Sequence, residues 1–193
     1  MDSAIVCLLV IKHKNQKNKM KLNLGAGKLD VRKGYVNLDS WPYPNIDVVW
    51  NLNNLPLPFE DNQFEEILAY SILEHIRDFI PLMDELYRIL KPGGIIRIRV
   101  PHFTFVEAYA DPSHVNHFSY MTFFYFKKGL KREYSFSKFS DFGGKVTFQK
   151  RLIFPWNYFL EWFVNLGDWS KKLYEKTPLR IFPAANLEVW LRK

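Results

Sequence analysis

The sequence predicts an α/β domain built on a mostly parallel, doubly wound sheet with an antiparallel C-terminal edge strand. Three observations carry that prediction. Short apolar runs alternate with turn residues from Met20 to Pro101, one amphipathic segment covers Asp78–Leu90, and the early runs end on Gly25, Asp39, Asn51 and Ser71. Strand-like runs interleaved with a helical pattern are the signature of parallel pairing.

Lys21–Leu24 reads as a strand running into Gly25-Ala26-Gly27, Tyr35–Leu38 as a second strand ending at Asp39, and Ile46–Trp50 as a third ending at Asn51. Glu66–Tyr70 is the fourth. Ser71-Ile72-Leu73-Glu74 has capping-box spacing, so a helix is expected from Ser71, with Glu74 as its capping partner and His75 packed in the same turn. In the next helix, Phe79, Leu82, Met83, Leu86, Ile89 and Leu90 recur at three- and four-residue spacing, which makes one buried face. Lys91-Pro92-Gly93-Gly94 stops it, because proline disfavours helix at the residue before it. Ile95–Val100 is the fifth strand. Beyond Pro101 a short helix is expected near Tyr120–Phe126, closing strands at Val146–Phe154 and Leu187–Leu191, and an aromatic helix at Trp156–Val164.

At 193 residues, 48% apolar and 24% charged, the chain has the length and composition of one globular domain. It divides into an N-terminal arm at 1–19 and a single domain at 20–193, whose alternating section is 20–101, followed by loops and a helix at 102–145 and a closing section at 146–193. The formal charge of +7 is uneven: residues 1–21 carry +4 and residues 127–151 carry +6. Such a segment can attract an anionic acceptor, a nucleic acid or a membrane surface, and a solvated face is the bland alternative. One cysteine, Cys7, excludes an internal disulfide and a cysteine-built zinc site. The apolar run Ala4–Ile11 is shorter than the roughly 20 residues that span a bilayer, and its flanks do not suit an export signal. A cytoplasmic location follows as the expectation, with peripheral membrane contact as its variant.

Ligands of an open parallel sheet bind beyond the carboxyl ends of its strands. The candidate cofactor residues are therefore Leu24, Gly25, Ala26 and Gly27, then Asp39 and Ser40, Asn51 and Leu52, and Tyr70 and Ser71. Glycine lets a ligand approach the backbone, and an acid ending the second strand can accept both hydroxyls of a ribose. Asn51 can offer its amide to an adenine edge, with Leu52 and Ile72 as apolar walls. A dinucleotide site asks for G-x-G-x-x-G and an acid about 20 residues on. Here the sixth position is Asp30, and twelve residues separate Gly27 from Asp39, so a pyrophosphate cofactor is disfavoured.

Taken together, Leu22-Asn23-Leu24-Gly25-Ala26-Gly27, Asn37-Leu38-Asp39, Leu55-Pro56-Leu57-Pro58-Phe59-Glu60-Asp61-Asn62-Gln63-Phe64, Leu73-Glu74-His75 and Leu90-Lys91-Pro92-Gly93-Gly94 form an ordered set. The set resembles the motifs of class I S-adenosylmethionine-dependent methyltransferases, closest to the UbiE and type 11 group, over about residues 20–101. The resemblance implies a Rossmann-like fold and S-adenosyl-L-methionine as cofactor, with Gly25 and Gly27 beside its methionine part, Asp39 at the ribose and Asn51-Leu52 at the adenine. Asn51 departs from the aspartate common at its position, and the first helix is shortened.

Methyl transfer from a sulfonium is an in-line displacement, and a base is needed only where the acceptor must lose a proton. His114 or His102 is the candidate catalytic base, from the stretch His102-Phe103 and Asp111-Pro112-Ser113-His114-Val115-Asn116-His117. A metal site from Asp111, His114 and His117 is not expected from spacing alone. The aromatics at 118–126 and 154–163 read as core and sheet cover. The expected acceptor is a small molecule or a glycan- or lipid-linked metabolite. A nucleic-acid methyltransferase and a non-catalytic interaction protein retaining the fold are the alternatives.

Overall fold

A computed structural model describes residues 20–131, 133–149 and 156–193. The arm at 1–19, together with Arg132 and residues 150–155 of the basic stretch, lies outside them. The sheet contains β1 (Lys21–Leu24), β2 (Val36–Asp39), β3 (Val48–Val49), β4 (Phe64–Tyr70), β5 (Leu90–Pro101), β6 (Asp141–Phe148) and β7 (Ala184–Arg192). Their order is β3-β2-β1-β4-β5-β7-β6. Strands β1 to β5 pair in parallel, and β7 runs antiparallel to both its neighbours.

The predicted class is therefore present, with one correction of place. The antiparallel C-terminal strand is inserted between β5 and β6, and β6 holds the edge. Leu187, Val189 and Leu191 of β7 are buried, as suits a strand paired on both sides.

Helix α1 (Phe79–Ile89) joins β4 to β5 and buries Leu82, Met83, Leu86 and Ile89, the face expected from periodicity. Its Pro81 lies in the first turn, where a missing N–H costs no intrahelical bond. After β5 come α2 (Glu107–Ala110) and α3 (Tyr120–Phe124). Ser119 and Thr122 form a reciprocal capping box that starts α3. Helices α4 (Trp156–Val164) and α5 (Asp168–Lys176) lie between β6 and β7.

Several expectations need revision. The segment after Ser71 is a single 3-10 turn, Leu73–His75, entered from Ile72 without a side-chain cap. Ser71 takes a φ of +51°, which turns its side chain out of capping position, so Glu74 is no capping partner. Strand β6 starts at Asp141, earlier than expected, because Gly143 and Gly144 fit closely against Trp190 and Val189. The tail of the expected strand, 150–154, is outside the described residues. Helix α5 was not anticipated, since its Asp-Trp-Ser-Lys-Lys-Leu-Tyr-Glu-Lys run offers few apolar positions to betray a period. On α4, Leu160 and Val164 are buried, but Trp156, Tyr158, Phe159 and Trp162 are exposed rather than covering the sheet.

Residues 25–35, between β1 and β2, form turns without a helix. Side chains hold that crossover instead. Buried Asn23 donates to the Asp30 carbonyl at 2.6 Å and to Asn37 Oδ1 at 3.1 Å, and the Asn37 oxygen also accepts the Arg32 N–H at 2.8 Å. The consequence for function is direct: the helix N-terminus on which a dinucleotide pyrophosphate would rest is missing after β1.

Candidate functional site

The ends of β1, β2 and β3 meet the turn after β4 in one cleft. Gly25 and Gly27 have φ of +62° and +54°, left-handed values that cost a side-chain-bearing residue roughly 1–2 kcal/mol. Gly25 is constrained a second time, because a Cβ there would stand 2.7 Å from the Ile72 side chain. Gly27 faces open space.

Asp39 binds the two loops together. Its Oδ2 accepts the Gly27 N–H at 2.8 Å and its Oδ1 accepts the Trp41 N–H at 2.9 Å. An ionised carboxylate offers about four lone-pair positions, so two such bonds leave acceptors for the hydroxyls of a ribose. Asn51 is oriented by its own loop, since its Oδ1 accepts the Asn53 N–H at 3.0 Å. That leaves its amide N–H groups as the part it can present.

Gly25, Asp39, Ser40, Asn51 and Leu52 line this cleft of about 140 Å³ with Trp50, Asn53, Ile72, His75 and Ile76. The volume is below the roughly 300 Å³ at which enclosing ligand pockets begin, so a ligand seated here would remain partly exposed. Leu24 and Ala26 are buried beneath the turn.

Tyr70 and Ser71 stand apart from the cleft. Tyr70 shares its sheet face with Glu66 and Leu68, opposite Ile67 and Ala69, because side chains alternate along a strand. There the guanidinium groups of Arg99 and Arg32 lie 4.8 Å and 5.2 Å from its ring, and it lines a different cavity of about 350 Å³ with Arg97, Lys145, Glu188 and Trp190. Ser71 donates its N–H to the Arg99 carbonyl. Ile72 lines the cleft with Leu52, the two residues expected as its apolar walls. His75, Ile76 and Trp50 are lining residues that sequence reasoning did not include; the 3-10 turn that swings His75 inward left no periodic signal.

On the neighbouring side, the loop carrying His114 is fastened to that turn. The Glu74 carbonyl accepts the N–H groups of Val115 at 2.8 Å and Asn116 at 3.1 Å, and Asn116 Nδ2 donates to the carbonyls of Leu73 and Ile76. The His114 and His75 rings meet edge to face at 4.7 Å. Burial, reinforced by the neighbouring His114, lowers the His75 pKa. Burial raises that of Glu74.

His102 does not join this group. It is fully buried, its Nδ1 accepts the Thr104 N–H, and its Nε2 donates to Glu175 at 3.1 Å. His117 packs on Tyr109 at 4.2 Å and, among the described residues, does not join His114 in a group of converging ligand atoms. Phe118, Phe123 and Phe126 are core residues around Phe79.

Comparison with known proteins bears on the whole arrangement. Residues 11–98, a little under half of the chain, match the family model described as a methyltransferase domain. A demethylmenaquinone methyltransferase of Lysinibacillus sphaericus is 33% identical over 55 residues, which is 28% of this chain and 23% of that protein. Another of the same name from Bacillus pumilus is 32% identical over 63 residues, 33% of this chain and 26% of that protein. The matched part thus spans about a quarter of the length of these relatives. The crystal structure of a SAM-dependent methyltransferase from Archaeoglobus fulgidus superposes with a TM-score of 0.61 at 12% identity, covering 97% of this chain and 94% of that one. The chain is thus similar over residues 11–98 to a methyltransferase domain and shares the fold of S-adenosylmethionine-dependent methyltransferases.

Proposed function

We propose that this chain transfers a methyl group from S-adenosyl-L-methionine to a small-molecule acceptor or to a glycan- or lipid-linked metabolite. The observation that carries the reading is the Asp39 carboxylate, which ties the Gly27 turn to the end of β2 and lines the cleft. When bound, the cofactor supplies an electrophilic methyl on sulfur. Asp39 holds the ribose hydroxyls, the Asn51 amide meets the adenine edge, and Leu52 and Ile72 flank the ring. The Gly25 backbone borders the methionine portion.

Most of the acceleration comes from holding the acceptor in line with the methyl. His114 is the group on the acceptor side that can take a proton from a hydroxyl acceptor. His102 cannot serve, because its ring is sealed and both nitrogens are engaged. The small-molecule class is supported by the relatives named as demethylmenaquinone methyltransferases. A nucleic-acid acceptor is less well supported, since Lys138, Lys145 and Lys127 of the basic stretch are paired with Asp84, Glu188 and Asp141 at 2.8, 3.2 and 3.5 Å.

Calorimetry of the full chain with S-adenosylmethionine tests the reading, followed by assay of S-adenosylhomocysteine release with candidate acceptors. Saturable binding that Asp39→Ala weakens is expected; no heat from the unmodified chain sinks it.

A further inference from the structure

Beside the cofactor cleft, Glu74, His75 and His114 each bring one ligand atom to within 4.8 Å of the others. We propose that these three residues bind a divalent transition metal ion of the zinc type, leaving a coordination position open toward the acceptor.

The first support is the state of Glu74. The residue is 2% exposed, and its Oε2 is a buried oxygen without a hydrogen-bond partner among the described residues. Leaving such a carboxylate unpaired is costly, and buried charges are normally paired or bound to a metal.

The second support is the hydrogen bonding of the two imidazoles. Ser113 Oγ donates its single proton to Asp111 Oδ1 at 2.5 Å, so toward His75 Nδ1, 3.0 Å away, it can only accept. His75 therefore carries its proton on Nδ1 and keeps a bare Nε2. His114 Nδ1 lies 3.3 Å from the Ala108 carbonyl, which also can only accept, while its Nε2 lies 3.9 Å from Asp111 Oδ2. Metal-binding histidines are oriented in this way, with the second N–H given to a carbonyl or a carboxylate-linked acceptor. The Asp111–Ser113–His75 chain supplies that arrangement on one ligand and Ala108 on the other.

Two imidazoles and one carboxylate form a donor set used by catalytic zinc, which keeps a fourth position for water or substrate. An acceptor hydroxyl bound there would lose its proton to water more readily, the effect a metal has on bound water; in the metal-loaded protein His114 would act as a ligand, and its proton-accepting role would apply only without the metal. The site stands whether or not methyl transfer is the reaction, because metal binding is read without cofactor or acceptor.

Chelator-treated full chain titrated with Co²⁺ tests the proposal. One equivalent should bind with a visible ligand-field band. His75→Ala and His114→Ala should each abolish it, and Asp111→Asn, a change at a half-exposed residue outside the ligand set, should weaken binding about 10–100-fold. Zn²⁺ titration of the unmodified chain followed by histidine NMR guards against misfolded variants: the His75 and His114 resonances should respond while those of His102 and His117 stay put. Absence of the band, its survival in both histidine variants, or a response from other histidines overturns the proposal.

Discussion

The backbone N–H of Gly27 donates to the Asp39 carboxylate at 2.8 Å, so the turn that ends β1 and the acid that ends β2 form one unit. Asp39→Ala breaks that unit and leaves the N–H groups of Gly27 and Trp41 without partners. The expected cost is about 1–3 kcal/mol in stability, measured by denaturant melts. Cofactor affinity should fall roughly 10–100-fold in calorimetry, as loss of hydrogen bonds to a charged group implies.

Gly25 and Gly27 should respond differently to the same substitution. Gly27→Ala meets only the penalty of a left-handed backbone, about 1–2 kcal/mol. Gly25→Ala adds a clash with Ile72 and should cost more. Pairing Gly25→Ala with Ile72→Ala relieves the clash and not the backbone strain. Melting of the three variants checks this order; equal costs for the two glycines would contradict it.

His102 and Glu175 test a structural role against a catalytic one. Glu175 Oε1 receives His102 Nε2 at 3.1 Å and the Tyr120 N–H at 2.6 Å inside the core. Thr104 Oγ1, next to His102 Nδ1 at 2.8 Å, also accepts the Ala184 N–H at 3.0 Å. Replacing either partner orphans buried groups, so Glu175→Ala or His102→Ala should destabilise the fold by about 3–5 kcal/mol. Cofactor affinity measured well below the melting temperature should be unchanged. A large affinity loss in a variant that is still folded would contradict the structural assignment.

Acid should weaken the sheet through Glu66. Burial raises its pKa, but hydrogen bonds from Lys21, Arg97 and Tyr35 outweigh that and bring it down to about 2 from a usual 4.5. A group whose pKa is lower in the folded than in the unfolded state stabilises the fold above the unfolded value and loses that contribution as pH falls toward the folded one. Stability should therefore drop between about pH 4.5 and pH 2, and Glu66→Gln should flatten that part of the profile. Chemical denaturation at several pH values measures both slopes.

Much of the fold was legible because its signals are local. The period of α1, the stop at Lys91–Gly94 and the apolar β1 appear in short windows of sequence, and each is where it was expected. The 3-10 turn was misread as a capped helix because Ser-x-x-Glu spacing says nothing about the left-handed backbone of Ser71. Helix α5 escaped notice because tertiary contact, through buried Tyr174 and Ser170, holds it rather than an apolar stripe.

The sequence by itself determined the strand-end positions of Gly25, Gly27, Asp39 and Asn51, and the absence of room for a pyrophosphate-binding helix, since both depend on residue type and spacing along the chain. Only the tertiary structure decided that β7 is inserted rather than placed at the edge, that Tyr70 turns to the opposite face, that His102 is sealed, and that His75 stands against His114. Those outcomes depend on contacts between segments far apart in sequence, where pairing and burial compete over the whole sheet and no local pattern records which partner wins.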